Sequence, residues 1–88
     1  METITTTTHE TVVVTFNGQD RTLHYQPREQ VQALLNRALD AFGVRDSRHV
    51  MSLFTTAGAE LPDNVSIEQA GVKPGEVLVL RQSTVKGG

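Results

Sequence analysis

The chain has 88 residues, 38% hydrophobic and 20% charged, which bounds it to one small globular domain. Ten acidic and eight basic side chains give a net charge of −2 with the signs interspersed, so no basic patch argues for nucleic acid. There is no cysteine, which excludes a disulfide framework, thiolate catalysis and the common structural zinc sites, and fits a reducing compartment.

Residues 1–10 are Thr-rich and nearly free of large apolar groups, and read as a flexible tail. Thr11-Val12-Val13-Val14-Thr15-Phe16 is β-branched and reads as a strand. Asn17-Gly18 follows, a strong hairpin signal because both residues tolerate positive φ. Arg21 to Tyr25 alternates polar and apolar as a half-buried strand does, and Pro27 stops it.

A helix is predicted next. Val31, Leu34, Leu35, Ala38, Leu39 and Phe42 form one apolar stripe on a 3.6-residue period. No Ser, Thr, Asp or Asn stands at its expected N-cap, but Gly43 suits the left-handed position after its end. Val44 is placed to touch Leu39 in a Schellman motif. Charges on the helix's polar face, such as Arg37 and Asp40, read as a solvated surface.

His49 to Thr55 reads as a third strand, and Ala57-Gly58-Ala59-Glu60 as a turn. Leu61 is expected to begin a short fourth strand that ends at Pro62-Asp63-Asn64. Ser66 to Gly71 reads as one short helical turn, and Lys73-Pro74-Gly75 as a loop turn. Val77-Leu78-Val79-Leu80-Arg81 is an unbroken apolar strand, typical of one buried on both sides or central in its sheet. Residues 82–88 are polar and are expected to be a flexible tail ending in Lys86-Gly87-Gly88.

The predicted order is β-β-α-β-β-(short helical turn)-β. That order is an α+β β-grasp over residues 11–81, a mixed sheet curled around one helix, with the last strand between the first and third.

Chemistry-bearing residues elsewhere are sparse. His9, His24 and His49 lack metal-ligand spacing on one element, so no metal is expected. Neither a G-x-S-x-G motif nor a paired-carboxylate arrangement stands out. Gly58, Gly71 and Gly75 serve turns and none belongs to a phosphate-cradling loop. The chain reads as a substrate of enzymes, not an enzyme, and no cofactor of its own is expected. No apolar run approaches the ~18 residues that span a membrane, and the N-terminus lacks a signal-peptide pattern. A cytoplasmic location is the expectation.

The sequence resembles ubiquitin and the ubiquitin-like modifiers over residues 11–88. The resemblance lies in the hairpin with Gly18 followed by Leu23-His-Tyr-Gln-Pro27, and in the helix stripe beginning four residues later. It continues in Ala57-Gly-Ala-Glu-Leu61-Pro-Asp63 and Ser66-Ile-Glu-Gln-Ala-Gly-Val72. Gly75-Glu-Val-Leu-Val-Leu-Arg81 and the closing Gly-Gly complete it. It implies a modifier, of prokaryotic and bacterial type, whose Gly88 carboxylate is adenylated by an activating enzyme, passed to a conjugating enzyme as a thioester and joined to a target amine. Gly87 and Gly88 lack β-carbons and fit a narrow channel, while Lys86 and Val85 are the residues a partner reads in the tail. A deconjugating protease and a target protein are the other implied partners. Two alternatives share the fold. One is a sulfur carrier of the thiamine or molybdopterin type, ending in a thiocarboxylate; the other is a non-covalent ubiquitin-like binding domain.

The sequence departs from ubiquitin in three ways. The tail is longer and reads Val85-Lys86-Gly-Gly. There are only two lysines, Lys73 and Lys86, so chains built through lysine are in doubt. The apolar interaction patch is hard to place. Aligning the turns puts Thr55 at the patch's central position, and a one-residue shift puts Phe54 there. Phe54 is favoured as core on its residue type. Val79 matches the last-strand valine, and Phe16 fits either the patch or the core.

Overall fold

Asn17 and Gly18 both hold left-handed backbone, φ 52° and 78°, and close the hairpin the dipeptide predicts. It joins β1 (Glu10–Phe16) to β2 (Gln19–Tyr25) in antiparallel register from Glu10↔Tyr25 to Phe16↔Gln19. The structure is a computed structural model and describes residues 10–86. Of the Thr-rich segment predicted as a tail, residues 1–9 lie outside the described residues; Glu10 belongs to β1.

The helix α1 (Val31–Ala41) buries Val31, Leu34, Leu35, Ala38 and Leu39 of the predicted stripe, while Phe42 falls at its C-cap and is only partly buried. Its first turn lacks a side-chain cap, and the missing acceptors come from elsewhere. Val31 N donates to Val65 O (2.9 Å), Gln32 N to Asp63 O (3.1 Å) and Ala33 N to Gln30 O (3.0 Å). At the other end Gly43 is left-handed at φ 69°. Val44 N reaches Leu39 O at 2.9 Å and Gly43 N reaches Asp40 O at 3.1 Å, a complete Schellman motif. The polar face is more than a solvated surface. Arg37 forms a two-pronged pair with Glu29 and donates to His24 O at 2.8 Å, and Arg48 pairs with Asp40 at 3.0 Å. The Arg37 hydrogen bonds hold the Glu29 carboxyl below its ordinary range.

After a 3-10 turn (Arg48–Val50), which takes the place of the predicted strand start at His49, comes β3 (Met51–Thr55); β4 (Val77–Gln82) follows later in the chain. The sheet order is β2-β1-β4-β3, so β4 is central as expected. It runs parallel to β1 (Val13↔Val77, Val14↔Leu78, Thr15↔Val79) and antiparallel to β3. The predicted fourth strand at Leu61 shrinks to one bridge, Phe54↔Glu60, with Leu61 N bonded to Leu53 O. Pro62, which has no N–H, prevents the pairing from going further. The short helical turn after Ser66 begins with a reciprocal capping box. Gln69 N donates to Ser66 Oγ and Ser66 N to Gln69 Oε1, both at 3.1 Å.

The interior lies between α1 and one face of the sheet. Val12, Val14, Leu23, Tyr25, Leu53, Leu78 and Leu80 come from the strands, and Leu61, Ile67 and Val72 from the loops close its rim. The apolar run of β4 is therefore buried on one side only. Leu78 and Leu80 face α1, whereas Val77 is 39% exposed and Val79 half-buried. The mixed sheet with one helix is the α+β β-grasp predicted, with four named strands in place of five.

Candidate functional site: the C-terminal tail and its anchor

The tail leaves the end of the central strand. Leu78 and Leu80 pin β4 into the core, and Gln82 ends it opposite Met51. Where the sequence predicts a flexible tail over residues 82–88, residues 83–86 lie against the body and hydrogen-bond to it. Ser83 is buried and its N–H donates to Val50 O at 2.7 Å. Its hydroxyl accepts Val85 N at 3.0 Å and Lys86 N at 2.9 Å, folding residues 83–86 into a turn.

Glu60 is the anchor of that turn. Its Oε2 accepts Ser52 Oγ at 2.8 Å and Ser83 Oγ at 2.5 Å; its Oε1 accepts Thr84 N at 3.1 Å and Thr84 Oγ1 at 2.9 Å. Four donors on one carboxylate favour its charged form. The Ser83 hydrogen bond, followed by those of Ser52 and Thr84, outweighs the cost of burial and lowers the Glu60 pKa to about 2. The β-bridge at Glu60 makes this possible, because it sets the carboxylate beside Ser52 at the edge of β3.

A second attachment lies further along. Lys86 Nζ contacts Asp63 Oδ2 at 2.5 Å and donates to Met51 O at 2.7 Å. The other oxygen, Asp63 Oδ1, is buried without a hydrogen-bond partner among the described residues. Val85, between the two attachments, is 81% exposed. Glu60, Leu61, Pro62 and Asp63 line one wall of a shallow groove, and Thr84, Val85 and Lys86 the other. Gly87 and Gly88 lie outside the described residues.

The four residues predicted as an interaction patch fall on two faces. On the face of the sheet away from α1, Phe54 pairs directly with Val79. Phe54 is only 1% exposed yet stands apart from the helix-side core, and the Arg81 guanidinium lies 4.6 Å from its ring centroid. Val13 and Val77, paired across β1 and β4, continue this apolar strip. Phe54 is thus buried, as its residue type favoured, but on the face of the sheet opposite α1, where Arg81 covers it in part. Thr55 pairs with Leu78 and belongs to the helix side, where its hydroxyl accepts Ala59 N at 3.2 Å. Phe16 is at the core margin, edge-on to Phe42 with centroids 5.4 Å apart. The structure joins Phe54 with Val79 and separates both from Thr55 and Phe16.

Sequence reasoning missed Glu60, Ser83 and Asp63. Glu60 and Ser83 are 23 residues apart, and no local period links them. The one available signal was the cluster of Ser and Thr between an apolar strand and the diglycine. Among the described residues no group of three or more His, Cys, Asp or Glu is gathered to hold a metal, and no helix is long and apolar enough to cross a membrane.

No family model and no curated protein matches the chain. Its structure is similar to several solved ones. A de novo design based on ubiquitin aligns with TM-score 0.76 at 18% identity, over 92% of this chain and 96% of that one. The ubiquitin-like domain of an Arabidopsis thaliana protein aligns with TM-score 0.74 at 18% identity, over 93% and 85%. The ubiquitin of Caldiarchaeum subterraneum aligns with TM-score 0.72 at 24% identity, over 91% and 99%. The fold is ubiquitin-like.

Proposed function

We propose that this chain is a protein modifier of prokaryotic type, acting in the cytoplasm and conjugated through its Gly88 carboxylate. The observation that carries this reading is the pairing of a ubiquitin-like fold with a diglycine that follows its central strand at short range. A strand held on both edges is a rigid base for presenting a reactive terminus. The fold likeness to an archaeal ubiquitin supports the same reading.

A carboxylate is a poor acyl donor until it carries a good leaving group. In an activating enzyme, a Gly88 oxygen attacks the α-phosphate of ATP and pyrophosphate leaves. A cysteine thiolate of the enzyme attacks the acyl carbon and AMP leaves. After transfer to a conjugating enzyme, a target amine attacks the thioester, forms the amide, loses a proton and releases the thiol. Gly87 and Gly88 supply backbone that a narrow channel admits. Val13, Val77 and Val79, partly exposed on the outer face of the sheet, are the recognition surface on the body, with Phe54 buried beneath Arg81 as its floor.

The test is intact mass after incubation with ATP and a lysate of the source cells, followed by digestion of the conjugates. The expected result is an ATP-dependent mass shift, with trypsin cleavage after Lys86 leaving Gly-Gly on target lysines. Deleting Gly88, or replacing Gly87 by Trp, abolishes the shift and leaves the fold unchanged. A thiocarboxylate of this chain with no such remnant identifies a sulfur carrier instead. No covalent species at all, with no effect of deleting Gly88, leaves a non-covalent binding domain as the better account.

A further inference from the structure

The geometry points to a latch: residues 83–86 are held closed over Glu60 and Asp63, and an enzyme that takes the tail in extended form has to open it first. This inference rests on the modifier reading for its purpose, but the latch itself can be tested without it. Every backbone N–H from Ser83 to Lys86 is bonded, to Val50 O, to Glu60 or to the Ser83 hydroxyl. The Lys86 ammonium is held by Asp63 and Met51 O. A tail merely resting on the surface would not use all of its donors in this way.

Closure limits reach. An extended chain covers at most ~3.3–3.6 Å per residue. With Lys86 fixed, the two residues after it can extend only ~7 Å from the body. With the turn undone, the six residues after Gln82 can extend ~20 Å. An enzyme whose reacting atoms lie at the bottom of a channel needs the longer span. The affinity it shows for the free chain is then its intrinsic affinity multiplied by the small fraction of open tails.

The latch also defines the chemistry of a partner able to open it. Such a partner replaces what the tail gives up: a carboxylate for the Lys86 ammonium and acceptors for the freed N–H groups. It also has an apolar pocket to gain, because Val85 is already 81% exposed in the closed state. An acidic cleft with an apolar subsite one residue before the acid meets all three demands.

Trypsin is a suitable probe, since it takes a lysine extended onto a carboxylate of its own and needs no cognate enzyme. The full-length chain is digested under native conditions and cleavage after Lys86 is followed by intact mass, beside Glu60→Gln and Asp63→Asn. When opening is fast, the rate follows the open fraction. Slow cleavage of the wild type and at least ~10-fold faster cleavage in each variant are expected. Amide exchange at residues 83–86 should rise in parallel while the amides of β1 and β4 stay protected. Ser83→Ala, which removes the hub of the turn and one donor to Glu60 while keeping both carboxylates, should behave alike. Equal cleavage rates in wild type and variants, or unprotected tail amides in the wild type, overturn the latch. Faster cleavage accompanied by exchange throughout β1 and β4 also overturns it, because the variant has then loosened the whole domain. A latch confirmed by trypsin with no ATP-dependent conjugate in cells leaves the latch standing and removes the modifier reading.

Discussion

The strand β4 is held by many interactions spread along its length, and the turn after it by a few at one point. Leu78 and Leu80 are buried against α1 with Leu34, Leu35 and Leu39, and what holds them is apolar area spread over many neighbours. Ser83 to Lys86 are held by hydrogen bonds that converge on Glu60 and by the contact of Lys86 with Asp63. The first kind is distributed, so no single contact is decisive and the region opens only with the whole fold. The second is concentrated in two carboxylates, so a single substitution releases it. The two regions should therefore uncouple.

The largest effect is expected in the interior. Leu35 is 1% exposed, and Leu35→Ala should cost ~2–5 kcal/mol of unfolding free energy in a denaturant titration, as core truncations do. Amide exchange in the tail should quicken only as far as global unfolding does. Selective release of residues 83–86 would show that the two regions are coupled.

Glu60→Ala is the converse. It leaves the Ser52 hydroxyl, which is fully buried, and the Ser83 hydroxyl without their acceptor, at ~1–3 kcal/mol. Tail protection should vanish while the α1 amides keep most of theirs. A loss spread evenly over both regions would contradict the division.

A still smaller effect belongs to Gly43. A Cβ there would meet nothing within 4 Å, so Gly43→Ala tests backbone strain alone at φ 69°. Left-handed backbone costs a non-glycine residue ~1–2 kcal/mol, partly offset by a stiffer unfolded chain, for ~1 kcal/mol net. Thermal melting would read it, with the tail unaffected.

Acid acts on the same anchor without a substitution. The Glu60 carboxyl titrates at 4.5 in the unfolded chain and about 2 in the folded one. Its contribution to stability is thus complete above 4.5, declines as pH falls below that value and is gone below about 2. Opening the tail removes the Ser83 and Thr84 donors, so the freed carboxyl takes up a proton more readily and tail protection should fall together with stability across this window. Tail amides that stayed protected while stability declined would show that the turn does not depend on the charge of Glu60.

What the sequence made legible follows the same division. The stripe of α1, the Asn17-Gly18 turn and the Gly43 cap each depend on residues within a few positions of one another, and each formed as predicted. The faces of β3 were harder to assign. Ser52-Leu53-Phe54-Thr55 has two adjacent apolar residues, so alternation alone leaves the register open by one. Pairing with β4 decided it, and put Phe54 beside Val79 under Arg81. The strand predicted at Leu61 failed because Pro62 ends pairing one residue later. The anchor was not legible at all. A polar tail reads as solvated unless the acceptor that binds it is known, and Glu60 acquires that role only once the bridge to Phe54 has placed it.

The parallel pairing of β1 with β4 has a mechanical consequence. The first strand begins at one end of the sheet and the last strand finishes at the other, with Val13↔Val77, Val14↔Leu78 and Thr15↔Val79 between them. A pull applied between the two ends of the domain runs along these strands rather than across them. The ladder bonds, with Val13 N to Glu76 O and Gly75 N to Thr11 O beside them, are then loaded in shear and must rupture together instead of one after another. Tension reaching the domain through its C-terminal segment would draw out the turn over Glu60 at low force, and then meet a clamp that yields only at much higher force.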